Sequence, residues 1–559
     1  MQIADLLSKG YFPEELPPPF TTEDLVNVWP VVDPLLDTLD PISKKKKKIW
    51  SKVISFSVPK IKGYRRNLGI PNPLHFIRLS NTIVINWAAI AAHCSSSTIS
   101  LSPLKIRAGS ARALVKSSFK NIKRDKIIRS TGRRFLLKVD IAKFYSSIYT
   151  HSIPWALHTK PVSKASHDRL LYFGNALDED CRKMQDGQTV GVPIGPDTSR
   201  IISEIILSSI DLELKKQIGY LDGVRVVDDY HLYFKNTADL EKARATMIRV
   251  LKEFELELNQ NKEELLPLPE IIDKEWYIAI RDYRFGIGWE KQRESLITFF
   301  DLVVRFSRKY PGDHVLTYAM SKLSFIVFGK RNWKILQSLL LNTLLAEPKI
   351  LPYVAQNLLS YNQSGHPIDQ GLVRAALQEL IIYHSELGND YEIAWSVWLA
   401  KALSVTLPET VGQMLSSNMN PIVILVVLDL HNKGFLPNGL NTTAWESLLT
   451  ADNLYSEYWL VAYEAKKKGW LNSAKNYIAA DPFFQILDAG NVFFYKDSRS
   501  LDLSKIKITA LPGYFDDDDD DEDDDEAEPH SIYKAVEIPI LPENLIIEDD
   551  GLPDDDIPF

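Results

Sequence analysis

The chain has 559 residues and a net charge of −8, with 45% apolar and 25% charged residues. These are globular proportions, and the length exceeds a single core, so about two or three domains are expected. Its two cysteines, Cys94 and Cys181, stand far apart, which excludes a disulfide framework or a cysteine-rich zinc site and fits a reducing cytoplasm. The opening segment lacks a basic stretch leading into an apolar one, and the longest apolar run, Pro421 to Leu428, is too short for a bilayer; neither a signal peptide nor a membrane partner is expected.

Residues 1–43 are proline-rich (Phe12-Pro13, Pro17-Pro18-Pro19) and read as an extended arm packed on a domain. Lys44 to Lys48 reads either as an exposed basic loop or as a template or product contact. From Lys44 to Lys138 about 23 lysines and arginines oppose one acid, Asp125, a block suited to neutralising phosphates. Val53 to Val58 is β-like, Phe76 to Ala92 has helical periodicity, and Phe135 to Val139 is a strand pattern ending at Asp140. Ser199 to Ile218 carries a helical stripe, with Ser199 a candidate cap. Val224 to Val227 and Tyr230 to Phe234 read as a hairpin around Asp228-Asp229, and Leu240 to Leu258 returns to a helix.

From about Arg293 to Ala480 strands vanish and helical spacing dominates, as in Trp333 to Leu345, Gln370 to Leu387 and Tyr391 to Leu403. Helix pairs of this length suggest an α-solenoid of the HEAT kind, with an irregular bundle as the alternative. An aromatic stretch, Pro482 to Tyr495, precedes a tail in which about 20 acids from Asp516 onward oppose one lysine. Without that tail the body carries about +11. The tail reads as largely disordered, either a solubilising end or a nucleic-acid mimic for the basic region. The expected division is an arm over 1–43, a mixed α+β region over 44–290, an all-helical domain over 291–480 and a C-terminal segment over 481–559.

Three segments carry the chemistry: VDIAKFYSSI (Val139 to Ile148), VGVPIGPDTSR (Val190 to Arg200) and VRVVDDYHLYF (Val224 to Phe234). Nucleotidyl transfer joins an activated hydroxyl to a nucleotide with an in-line leaving pyrophosphate, and two magnesium ions, or manganese in their place, serve both ends. Asp140 at a strand end and Asp228 at a hairpin tip are assigned as bridging metal ligands, with Asp229 as the third and the Ile141 backbone carbonyl as a further donor. Gly195-Pro196 should form a tight turn that lets backbone approach the nucleotide or template. Arg65 and Arg66 are candidates for gripping a triphosphate. His151 has no partner ligands in the sequence and reads as structural.

These segments resemble motifs A, B and C of reverse transcriptases, motif A in the style of retrons and group II introns. Asp140-Ile141 with Phe144-Tyr145 resembles motif A, Gly191 to Pro196 with Ser199 to Glu204 resembles motif B, and Asp228-Asp229 resembles motif C. The chain departs from the family at Val226, where most members have tyrosine, which touches primer contacts rather than metal binding. Tyr149 to Trp155 (YTHSIPW) and the opening GYFPEELPPPF resemble the abortive-infection reverse transcriptases of AbiK type. The resemblance implies a right-hand-like fingers–palm domain followed by a HEAT-like helical domain in place of a thumb. It also implies anti-phage function, deoxynucleoside triphosphates as substrates, DNA synthesis without a template, priming from a protein tyrosine with the DNA product covalently attached, and homo-oligomers. Tyr145 matches the position that excludes a ribose 2′-OH, and Lys262 in LNQNK matches a motif D lysine able to protonate pyrophosphate. Tyr11, alone among arm residues, is the candidate priming tyrosine. The competing readings are a templated enzyme using a partner noncoding RNA and a catalytically idle scaffold that binds RNA or senses a phage trigger.

Overall fold

The proline-rich opening folds into two helices joined by a buried strap. The computed structural model describes residues 1–39, 49–60, 63–107, 109–324, 326–473 and 475–503; the lysine run at 44–48 and the acidic tail lie outside them. Helix α1 spans Ile3–Lys9 and α2 spans Leu25–Leu39. The expected extended arm is thus corrected over α2, which continues through Pro30. The helix holds two interior prolines, Pro30 and Pro34, each costing about 3 kcal/mol. Leu25, Val28 and Val32 share one buried stripe and return about 1.5–3 kcal/mol each, which offsets a cost of that size. Between the helices, Phe12, Leu16 and Phe20 are buried.

Strands β1 (Ile54–Pro59) and β2 (Arg65–Ile70) form an antiparallel pair. Helix α3 (Pro73–Ile85) follows, started by the Asn72 side chain accepting from Leu74 N and by Pro73 in the first turn. The second sheet runs β4-β5-β3-β6, built from β3 (Phe135–Asp140), β4 (Gly223–Val226), β5 (Asp229–Phe234) and β6 (Glu264–Pro267). Helices α4 (Asp197–Ile218) and α5 (Thr237–Glu253) pack against each other, and α5 lies on β3 and β5. The isoleucine stripe of α4, from Ile201 to Ile210, is fully buried there. Helix α5 stops at Glu253 rather than Leu258 because Glu255 turns left-handed (φ 62°), and the chain runs back along the end of β3.

Beyond Trp289 the described residues hold helices and no strand. Helices α6 (Lys330–Ala346), α7 (Gln370–Leu387), α8 (Asp390–Ala402) and α9 (Pro421–Asn432) pack in succession. Helices α8 and α9 are buried on nearly every face, which explains their weak amphipathic pattern. No helix among the described residues is long and apolar enough to cross a membrane.

Two apolar cores result. One lies beneath the four-stranded sheet with α4 and α5. The other joins the arm, the β1–β2 hairpin, the helical half and the C-terminal aromatic stretch. Polar ties support this second union. Asn420 Nδ2 donates to Ser55 O (2.9 Å), Thr21 N to Phe494 O (3.0 Å) and Lys496 N to Pro19 O (2.8 Å).

Candidate active site

The hairpin expected around Asp228-Asp229 forms with a two-residue turn, Val227-Asp228, since Val226 pairs with Asp229. Val227 has φ +50°, in the left-handed region. A β-branched residue there is a genuine outlier, and a two-residue hairpin turn with positive φ at its first position favours glycine. Neighbours hold both its peptide groups: Val227 N donates to Ser102 Oγ (2.8 Å), and Arg225 Nη1 donates to Val227 O (3.1 Å). Arg225 is fully buried and paired with Glu204 (2.9 Å) and Asp211 (2.8 Å) of α4.

The β3–β5 register sets Asp140 directly opposite Asp229. Carboxylate oxygens of Asp140, Asp228 and Asp229 all lie within 4.8 Å of one another. Like charges face to face destabilise a sheet. Burial first, and then the charge of Asp140, pushes the Asp229 carboxyl up to about 7. Three hard oxygen donors converging against their own repulsion fit a divalent ion such as magnesium or manganese.

Lys262 reaches this cluster, its Nζ 3.4 Å from Asp140 Oδ1. Burial alone would lower its ammonium, but Asp140 and Asp229 outweigh that and hold it above its ordinary value. Asn259, unremarked in the sequence, donates from Nδ2 to Asp140 Oδ2 (3.0 Å) and from its backbone N to Asp140 O (2.8 Å). Ile141 follows at the end of β3, bridged to Leu258.

Tyr145 and the Gly195-Pro196 turn line one cleft with Val227, the neighbour of Asp228. Tyr145 O accepts from Val192 N (2.9 Å), which fixes the distance between the segments carrying motifs A and B. Gly195 has φ +122°, and a Cβ there would stand 2.6 Å from Pro13 of the arm, so only glycine fits. Asp197, in the first turn of α4, is buried and paired with Arg112 (3.0 Å).

Two candidates are corrected. Arg65 is already engaged: Nη1 and Nη2 donate to Glu392 of α8 (2.7 and 2.8 Å) and Nε to Ser57 Oγ (2.6 Å), so its fork is an internal tie rather than a triphosphate grip. Tyr11 is fully buried, stacked on Phe76 at 3.9 Å, with its hydroxyl donated to Pro71 O, so it presents no accessible nucleophile. Arg66 lies one position on in β2, opposite Val58. Ser199 sits inside α4, past Pro196 at the cap position. His151 is structural, its Nδ1 2.7 Å from Asp178. Sequence reasoning missed the cleft's cations Arg112 and Lys116 and the acids facing them, Glu14 and Glu15, and gave Arg200 no role beyond its place in the second segment.

A carboxylate cluster on a strand end and a hairpin tip, backed by two helices, is the palm of a nucleotidyltransferase. Residues 58–294 match the family model described as reverse transcriptase (RNA-dependent DNA polymerase), and this region is a reverse transcriptase domain, of the RNA-directed DNA polymerase class of nucleotidyltransferases. Among solved structures, apo telomerase from Candida tropicalis is similar at 12% identity and a TM-score of 0.32, covering 72% of this chain and 71% of that one. The same enzyme truncated from its C-terminal domain gives 15% identity and a TM-score of 0.28, covering 44% of this chain. This chain spans 56% of that truncated form. Telomerase from Candida albicans, in complex with a TWJ fragment of telomeric RNA, gives 12% and 0.28, covering 69% of this chain and 71% of that one. No curated protein matches the chain.

Proposed function

We propose that this protein is an antiphage-defence DNA polymerase that adds deoxynucleoside triphosphates by metal-dependent nucleotidyl transfer, without a template and from a hydroxyl of a protein chain. The convergence of Asp140, Asp228 and Asp229 within 4.8 Å carries the chemical part. Divalent ions held there supply charge neutralisation at the attacking and leaving oxygens. Asp140 and Asp228, with Asp229 and the carbonyl of Ile141, would hold the ions. Lys262 stands ready to give its proton to the departing pyrophosphate. Tyr145 packs under the sugar and excludes a 2′-OH, while the Gly195-Pro196 turn brings backbone to the nucleotide.

The untemplated reading draws support from the arm, whose Pro13 presses on Gly195 and whose Glu14 and Glu15 line the cleft where a template would need room. The defence role rests on the YTHSIPW and GYFPEELPPPF motifs. In this reading the helical half is HEAT-like, stands in place of a thumb, and the enzyme works in the cytoplasm as a homo-oligomer. The basic block from Lys44 to Lys138 favours a second reading, templated synthesis on a partner noncoding RNA.

The test incubates purified, nuclease-treated protein with magnesium and labelled dNTPs, without template or primer, beside Asp228→Asn. The proposal expects DNase-sensitive label that migrates with denatured protein and vanishes in the variant. Label appearing only after RNA is added moves the case to the templated reading. Biological protection that survives Asp228→Asn would leave an idle scaffold.

A further inference from the structure

Three cations and three carboxylates meet in the cleft beside Val227: Arg112, Lys116 and Arg200 against Glu14, Glu15 and Asp197. Asp197 is committed to the frame, paired with Arg112 (3.0 Å) and Arg200 (3.5 Å) and accepting from Leu114 N. Glu14 is different. Its carboxylate spans Arg112 Nε (3.1 Å) and Lys116 Nζ (3.3 Å), and its side chain keeps 27% exposure. Burial alone would raise its carboxyl, but Lys116, Arg112 and Arg200 outweigh that and keep it ionised at neutral pH.

The backbone around Glu14 is pinned on both sides. Arg112 Nη1 donates to Phe12 O (2.6 Å), and Trp395 Nε1 of α8 donates to Glu15 O (2.8 Å). The carboxylate therefore hangs from a fixed strap on a three-bond side chain that can swing while the strap stays. The grip on it is also imperfect, because the buried Arg112 Nε has charge proximity to Glu14 but no aligned hydrogen bond. A tetrahedral oxyanion with several acceptor oxygens suits an arginine N–H and a lysine ammonium better than this carboxylate does.

We infer that Arg112, Lys116 and Arg200 form a phosphate subsite whose resident occupant is the chain's own Glu14, which a phosphate ester displaces on entering the cleft. Glu14 stays tethered to the strap, so an entering phosphate must both displace its carboxylate from Arg112 and Lys116 and compete with its charge. The phosphate comes either from an incoming triphosphate or from the backbone of a strand. This inference rests on the polymerase reading only for which of those it is; occupancy itself needs no catalysis.

The experiment measures inorganic tripolyphosphate binding by titration calorimetry, without metal or dNTPs, on the full chain, Glu14→Gln, and Glu14→Gln combined with Lys116→Met. Glu14→Gln should bind tripolyphosphate about 3–10-fold tighter than the natural chain, with a steeper salt dependence. Adding Lys116→Met should abolish that gain. Melting curves establish that each variant is folded, and Glu14→Asp serves if Glu14→Gln is not, with its shorter reach giving a smaller gain. Equal affinity in the natural chain and a folded Glu14 variant overturns the inference, as does a gain that persists without Lys116. Competition by dTTP against a short oligothymidylate lacking a triphosphate then assigns the source. A chain that binds tripolyphosphate as expected yet makes no DNA would keep this subsite and reject the polymerase reading.

Discussion

Ser102→Ala tests whether the strained turn at Val227 is held from outside. Ser102 Oγ is the acceptor for Val227 N, and Arg225 holds the carbonyl on the other side. Left-handed backbone costs an L-residue about 1–2 kcal/mol, and the lost hydrogen bond to a half-buried N–H is worth about 1–2 kcal/mol more. Once that bond is gone the valine has reason to relax, carrying Asp228 with it. If the whole loss falls on the geometry of the carboxylates, dNTP incorporation should drop about 5–30-fold, at about 1.36 kcal/mol per tenfold. Glycine at this position has no such penalty, so Val227→Gly added to Ser102→Ala should recover most of the rate. The assay is single-turnover incorporation, with melting temperature recorded in parallel. A Ser102→Ala enzyme as fast as the natural one, or a double variant no better than the single, would refute the reasoning.

Further expectations concern the rest of the frame. Arg65→Met should cost about 3–5 kcal/mol in denaturant unfolding, because it strands the buried Glu392, whereas Arg65→Met with Glu392→Met should restore most of that; unchanged stability in the single variant would return Arg65 to the triphosphate. Tyr145→Ala should raise ribonucleotide incorporation about 10–100-fold relative to deoxynucleotide, measured as a ratio of kcat/KM values. Burial pushes Glu464 from its ordinary 4.5 up to about 7. The folded state then binds the extra proton, so the contribution of Glu464 to stability is full below about pH 4.5 and is lost as pH rises toward about 7, by at most about 1.4 kcal/mol per unit. Glu464→Gln should flatten that part of the unfolding profile.

What was legible in the sequence is local. Strand alternation around Asp140 and Asp228, the isoleucine stripe of α4 and the helical spacing after residue 293 depend on periods of two and 3.6 residues, which a short window reveals. The order of the three motifs was enough to group the carboxylates that the fold then brings together. Partnerships across the chain left no such trace. Arg65 finds Glu392 at 327 positions' remove, and the β1–β2 hairpin packs with the helical half rather than with the sheet it precedes. Tyr11 stood out as the only tyrosine of the arm, yet burying Phe12, Leu16 and Phe20 draws the whole strap inward. One signal was readable and missed: Glu204 and Asp211 stand seven apart in an apolar helix, on one face, and such acids need a buried cation. Arg225 is that cation.

The bridge between Phe20 and Tyr495 joins segments made at opposite ends of the described chain. The arm leaves the ribosome first, but the segment that clasps it is among the last of the described residues to be made. At about 5–20 residues per second, the interval between them is about 25–95 s. Through that interval the strap bearing Pro13 and Glu14 lacks its far anchor, so the cleft at Gly195 is without its finished wall. A nascent or prematurely terminated chain would carry all three aspartates yet miss part of the enclosure around them. The finished wall of the cleft therefore depends on a segment made about 475 residues after the strap it anchors, about 25–95 s later.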